Sequence, residues 1–249
     1  MTRDTVTILT SLSHPLTKAI VPSAGGGIET RTQQNVKFYS GEEIEVADLR
    51  AFAEVLERTS ADPYKCVVRG AIAPGTNRER MLRRKFSKDD TPATLLEQAR
   101  RWVLFDVDGI ALPPDFDPLV DPARTVSFVR AKLPSCFHAV ACWYQFTGSA
   151  GIKPGLHIRL GFWLDRPLDE AELKRWLAQK LPEPGKPAKS WFREYPVDPA
   201  VFTTAQPIYV AAPIIKQGAR PVRRPLRQIR HSRWCSGDCS RSAHRGAAA

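Results

Sequence analysis

The chain has 249 residues, 43% of them hydrophobic and 25% charged, enough apolar material for one large domain or two small ones around a real core. No apolar run approaches the length that crosses a bilayer, and the opening MTRDTVTILTSLSH lacks the charged-then-apolar layout of a secretory signal, so a cytoplasmic protein without membrane contact is expected. The odd, scattered set Cys66, Cys136, Cys142, Cys235 and Cys239 argues against the even disulfide framework of a small secreted domain. The formal net charge of +11 points to an anionic partner such as nucleic acid, but nine Lys or Arg against one acidic residue from Lys216 onward carry +8 of it, leaving the body close to neutral.

Residues 1 to 40 are β-prone and interrupted by glycine (SAGGGIETRTQQNVKFYS), which predicts short strands or hairpins. In VADLRAFAEVLERTS, Leu49, Phe52, Ala53 and Leu56 recur on one face at helical spacing. YKCVVRGAI reads as a buried strand and leads into a polar segment dense in Arg and Lys, APGTNRERMLRRKFSKDD. DDTPATLLEQARR predicts a second helix, with Thr91 as N-cap and Pro92 at its first position, and Asp121 with Pro122 predicts another whose apolar side is Val126, Val129 and Leu133.

FHAVACWYQFTGSAG and LHIRLGFWLD read as two strands of a hairpin, and LDEAELKRWLAQKL as a helix with Leu173, Trp176 and Leu177 inward. QPIYVAAPII is expected to be a last strand. After Ile215 the hydrophobic pattern stops, and 216–249 reads as a basic, disordered tail whose His231, Cys235, Cys239 and His244 match no common zinc module in spacing. Intermixed strands and helices, some strands antiparallel, and no internal repeat predict an α+β fold.

Within WVLFDVDG an apolar strand ends on two carboxylates, Asp106 and Asp108, whose i, i+2 spacing puts both on one face. Like charges held that close repel, and a divalent cation with hard oxygen ligands, Mg²⁺ or Mn²⁺, resolves the repulsion and can also grip phosphates. The bland alternative is that one Asp caps the following DG turn and the other is solvated.

LFDVDG is similar to the first motif of haloacid-dehalogenase-type phosphatases, with Asp106 as nucleophile. However, Ile110 stands where that family has Thr or Val, and no well-placed downstream Lys and acidic pair follows. A glycosyltransferase Asp-x-Asp needs only the two carboxylates, and nothing else in the chain supports it.

The order WVLFDVDG, SAGIKPGLHIRLGFWL, YPVDPAVF and QPIYVAAP resembles the catalytic core of the archaeo-eukaryotic primase (prim-pol) superfamily, in its phage, plasmid and mobile-element forms, over residues 5 to 213. Asp106 and Asp108 match its first motif, His157 its second and Asp198 its third. The resemblance implies a primase-polymerase domain over 1–215, with an N-terminal α/β portion (1–100) and a catalytic portion (101–215) built on a sheet like that of RNA-recognition folds.

It also implies a DNA primase/polymerase activity that joins nucleoside triphosphates on a single-stranded DNA template, with Asp106, Asp108 and Asp198 as catalytic metal ligands and a separate helicase as partner. The second motif often carries Ser two positions before its His, where this chain has Gly155, so the hydroxyl contact is expected either to be missing or to move to Ser149. His157, Ser149 and Arg159 are then the candidate nucleotide-binding residues. Arg69 and the run Arg78, Arg80, Arg83, Arg84 and Lys85 are candidates for nucleic-acid phosphates. The alternative from another class is a catalytically inactive nucleic-acid-binding remnant of such a domain.

Overall fold

The computed structural model describes residues 3–25, 27–31, 35–118, 120–177, 180–182 and 191–217; from residue 218 on, the basic tail and its Cys and His residues lie outside the described residues. In chain order the elements are β1 (Asp4–Ser11), β2 (Ala19–Pro22), β3 (Ile28–Arg31), β4 (Tyr39–Val46), α1 (Leu49–Ser60), β5 (Lys65–Val68), β6 (Ala71–Ile72), β7 (Leu95–Leu96) and β8 (Arg100–Ile110). There follow α2 (Pro122–Arg130), a 3-10 turn (Ser135–Phe137), β9 (Trp143–Phe146), β10 (Leu156–Leu168), α3 (Glu170–Leu177), β11 (Lys180–Pro182), β12 (Trp191–Arg193), a 3-10 turn (Pro199–Phe202) and β13 (Ile214–Ile215).

Among the described residues the strands form small sheets ordered β4-β1-β5, β8-β10-β9, β13-β2-β3, β6-β7 and β11-β12, giving a mixed α/β architecture with three α-helices. Among the described residues, no helix is long and apolar enough to cross a membrane.

Helix α1 forms where the period predicts it. Asp48 caps it by accepting from Ala51 N at 2.8 Å, and its buried side, Phe52 and Leu56 included, faces the main core. Phe52 stacks on Trp102 of β8 at 5.0 Å, which joins the N-terminal sheet to the β8-β10-β9 sheet through one core. On the other face of β8-β10-β9, Phe105, Phe137 and Phe162 pack at centroid distances of 4.7 to 5.3 Å. Helix α2 starts at Asp121 as expected, its carboxylate accepting from Arg124 N at 2.9 Å; α3 buries Leu173 and Leu177, with Trp176 partly buried against the same core.

Two expected elements do not form. The segment read as a helix from Thr91 carries a tight turn at Asp89 and Asp90 (φ +50° and +56°) and then β7, which pairs with β6. Leu95 is buried and Leu96 exposed, and Leu95 N donates to Arg84 O at 2.9 Å, so strand-like tertiary pairing overrides the local helix signal. The expected strand 206–215 breaks into a single bridge, Ile208 to Val67, and the two residues of β13, parallel to β2. Pro207 and Pro213 have no N–H to give a continuous ladder.

Candidate active site

The site stands on one face of the β8-β10-β9 sheet. Antiparallel register puts Asp106 opposite Arg159, Asp108 opposite His157, and Gln145 of β9 opposite Arg159, so all five side chains share that face. Toward α1 the same face is apolar, with Trp102 and Leu104 buried, and it turns polar only at the strand end. The opposite face, Val103, Phe105, Val107, Ile158 and Leu160, is buried throughout. That apolar underside packs the strand into the core beneath the charges.

Asp106 and Arg159 form a two-pronged ion pair, with Nε to Oδ1 at 3.0 Å and Nη2 to Oδ2 at 2.8 Å. Asp198 N donates to Asp106 O at 2.9 Å, so the Asp106 carbonyl points away from β10 and the 106/159 pair is of the closely approaching, non-hydrogen-bonded kind. Arg159 also donates through Nη1 to Tyr209 O at 2.9 Å and to Gln145 Oε1 at 3.4 Å, while Gln145 Nε2 holds Val210 O at 2.9 Å. The 206–213 segment, although not a strand, is thereby fastened over the site.

His157 Nδ1 lies 2.7 Å from Asp108 Oδ1, and its Nε2 lies 3.0 Å from Pro154 O. Both partners accept, so a ring protonated on both nitrogens satisfies both contacts. The hydrogen bond from His157 holds the Asp108 carboxyl below its usual range; partial burial works against this, and the charges of His157, Lys18 and Arg159 reinforce it.

Lys18, just before β2, reaches the same corner and donates from Nζ to Ser149 Oγ at 2.8 Å. Burial lowers its pKa, the neighbouring Lys153 lowers it further, and Asp108 and Asp106 pull the other way. Lys18 and Gln145 were not singled out from the sequence. The available signals were a lone Lys inside the apolar stretch PLTKAIV and a lone Gln inside the buried strand CWYQF.

Gly155 has φ +80°, and a Cβ there would stand 2.7 Å from the Gly109 carbonyl carbon. The chain therefore has no room for a serine two positions before His157; the Ser149 hydroxyl accepts from Lys18.

Asp198 reaches the site by its backbone: its amide is bonded to Asp106, while its carboxylate accepts from Ala200 N at 3.0 Å and caps the 199–202 turn. Among the described residues no group of three or more His, Cys, Asp and Glu is placed to hold a metal ion. The hard oxygens of Asp106 and Asp108 do suit Mg²⁺ or Mn²⁺ by type and by shared face, and the Asp108 side chain is 56% exposed.

The cations expected to meet nucleic acid are mostly engaged elsewhere. Arg69 is 3% exposed, donates to Trp102 O and Leu168 O at 2.8 and 2.9 Å and lies over the Trp102 ring; it is a core fastener, not a phosphate contact. The run 78–85 is not helical, and its charges do not form one stripe. Arg78 pairs with Glu43 at 2.9 Å, Arg83 donates to Ala205 O, Arg84 to Lys88 O at 3.0 Å, and Lys85 pairs with Glu170 at 2.7 Å. Arg80 alone of the five has no hydrogen bond or ion pair at its guanidinium among the described residues; it stacks over Phe38, 3.9 Å from the ring centre.

No protein-family model, no curated protein and no solved structure matches the chain.

Proposed function

We propose that the chain is a DNA primase/polymerase-type nucleotidyltransferase of the prim-pol kind, acting on nucleoside triphosphates along a single-stranded template. The observation that carries this reading is the pair of carboxylates, Asp106 and Asp108, side by side on one sheet face with Lys18, His157 and Arg159 around them. Acidic and basic groups converge there, and this supports the reading because phosphoryl chemistry needs carboxylates for a cation beside basic groups for phosphates.

Asp106 and Asp108 would hold the divalent metal; Asp198 would join them by giving up its cap on Ala200. When bound, that metal neutralises charge on the reacting phosphate and favours ionisation of the attacking hydroxyl. Lys18 would carry positive charge to the nonbridging oxygens of the triphosphate; Arg159 would join it on releasing Asp106 to the metal, and His157 would donate from Nε2 on leaving Pro154 O while Asp108 fixes the ring's orientation. Ser149 holds the Lys18 ammonium in place. The buried underside of the sheet keeps these groups from drifting apart as charge develops.

The test is metal-dependent incorporation of labelled ribo- and deoxynucleotides, assayed separately on a primed and an unprimed single-stranded template. Asp106→Ala and Asp108→Ala should each lower incorporation by on the order of 10²-fold or more. Unchanged incorporation in both would end the enzyme reading.

A second reading has its own support. Both Asp106 oxygens are taken by Arg159, and the Asp198 carboxylate is engaged as a cap. Such a self-neutralised site suits a nucleic-acid-binding domain that has lost catalysis. It predicts template binding without incorporation at any concentration of Mg²⁺ or Mn²⁺.

A further inference from the structure

A pocket of about 260 Å³, sharing no residue with the candidate active site, is lined by Phe38, Asn77, Arg80, Met81, Thr91 and Thr94 among others. Its floor is preformed: Met81 is buried and exchanges both backbone hydrogen bonds with Tyr39 of β4, at 2.9 and 2.7 Å, and Thr94 Oγ1 accepts from Arg84 N at 3.2 Å. Its wall carries Arg80, the one guanidinium of the 78–85 run that, among the described residues, is committed neither to a carboxylate nor to a carbonyl. Its guanidinium carbon lies over Phe38, 3.9 Å from the ring centre, and the Lys37 ammonium is 5.3 Å from the same ring.

A guanidinium supported on one side by an aromatic ring offers its other side as a stacking surface for a base, and keeps its charge for a phosphate. The volume is below the roughly 300–1,000 Å³ of ordinary small-molecule sites, which favours one base of a chain over a whole cofactor.

We propose that this pocket receives one base of a single-stranded nucleic acid, stacked on the Arg80–Phe38 pair, with the adjoining phosphate met by Arg80 and Lys37. The proposal rests on the nucleic-acid part of the function given above and not on its metal or its chemistry.

The test is equilibrium binding of a fluorescent single-stranded oligonucleotide to the full chain, without metal or nucleotide, over a series of salt concentrations. Arg80→Ala and Phe38→Ala should each weaken binding about tenfold, on the scale of one stacked base. Arg80→Ala should also reduce the slope of log affinity against log salt by about 0.7, the share of one phosphate contact on a single strand. Arg80→Lys, which keeps the charge and loses the plane, should keep the slope and lose affinity. In the wild type, an oligonucleotide carrying 2-aminopurine should lose fluorescence on binding as that base stacks, and Phe38→Ala should restore it.

Arg124→Ala is the matched control, because Arg124 stacks on Phe116 at 4.0 Å in the same way but pairs with Asp115 at 2.7 Å. If Arg80→Ala and Arg124→Ala weaken binding equally, if neither changes it, or if the wild type does not bind the oligonucleotide, the pocket proposal is overturned. Failure of nucleotide incorporation with the Arg80 and Phe38 effects intact would overturn the catalytic reading alone. Thermal melting of each variant shows whether a loss of binding comes from unfolding.

Discussion

The imidazole of His157 and the carboxylate of Asp108 meet at 2.7 Å across two antiparallel strands, and the second ring nitrogen is held at 3.0 Å by Pro154 O. The first of these contacts is the main reason that the Asp108 carboxyl lies below its usual range. A carboxyl with a depressed pKa stays charged to lower pH. Its ability to hold a cation is therefore present above that pKa and lost as pH falls through it. Replacing His157 by Ala should move the Asp108 titration upward, toward the ordinary carboxylate range, and the acid limit of Mn²⁺ binding should move up with it. Carbon NMR of the Asp108 carboxyl, recorded in both proteins, reads the shift; an unchanged titration would show that His157 does not control this group.

Lys18 stands 2.8 Å from Ser149, and the charges of Asp108 and Asp106 partly offset the lowering of its pKa by burial. If it meets the triphosphate, Lys18→Met should raise KM for nucleotide about tenfold, the scale of one charge-assisted hydrogen bond, while kcat changes less. Steady-state kinetics with template held at saturation separate the two. A fall in kcat at constant KM would place Lys18 outside the nucleotide-binding set.

Arg69 is pinned between Trp102 O and Leu168 O with its charge buried, and burial lowers its pKa to about 10. Arg69→Met removes the guanidinium donors of two buried carbonyls. The folded state should lose about 3 kcal/mol in chemical denaturation, with oligonucleotide affinity of the folded protein unchanged.

Glu170 joins α3 to two other parts of the chain, accepting from Lys85 and Lys174 and from both the amide and the hydroxyl of Thr204. Burial alone would raise its carboxyl, but the hydrogen bonds from Lys174, Lys85 and Thr204 outweigh it and hold it at about 2. Because the folded value is depressed, the stabilisation is complete above the ordinary value of 4.5 and disappears as pH falls toward about 2. Melting temperature should therefore drop through that window, and Glu170→Gln should flatten the drop while lowering stability at neutral pH.

Gly155 sits at φ +80° against the Gly109 backbone. Gly155→Ala should destabilise the protein by more than about 1 kcal/mol and loosen the 108/157 pairing, seen as a weaker Asp108 shift in the same NMR titration. Stability equal to the wild type would show that the 109/155 contact yields easily.

Most of what the residues settle on their own is carried by near neighbours. The 3.6-residue period of α1, the cap at Asp121, the apolar runs of β8 and β10 and the hairpin of β9 with β10 are short-range patterns, and each forms where the residues predict it. The side-by-side placement of Asp106 and Asp108 follows from strand geometry alone. Tertiary structure decided whatever needed a distant partner. Thr91 and Pro92 carry a strong helix-start signal, yet pairing of Leu95 with Ile72 makes that stretch a strand. Arg69 and Arg80 are alike as letters, and only the packing around them buries one against Trp102 and leaves the other exposed on Phe38. Lys18 enters the site because β2 pairs with β13, a contact across nearly two hundred residues. A side chain's charge is local information, whereas the group that answers it is chosen by the fold.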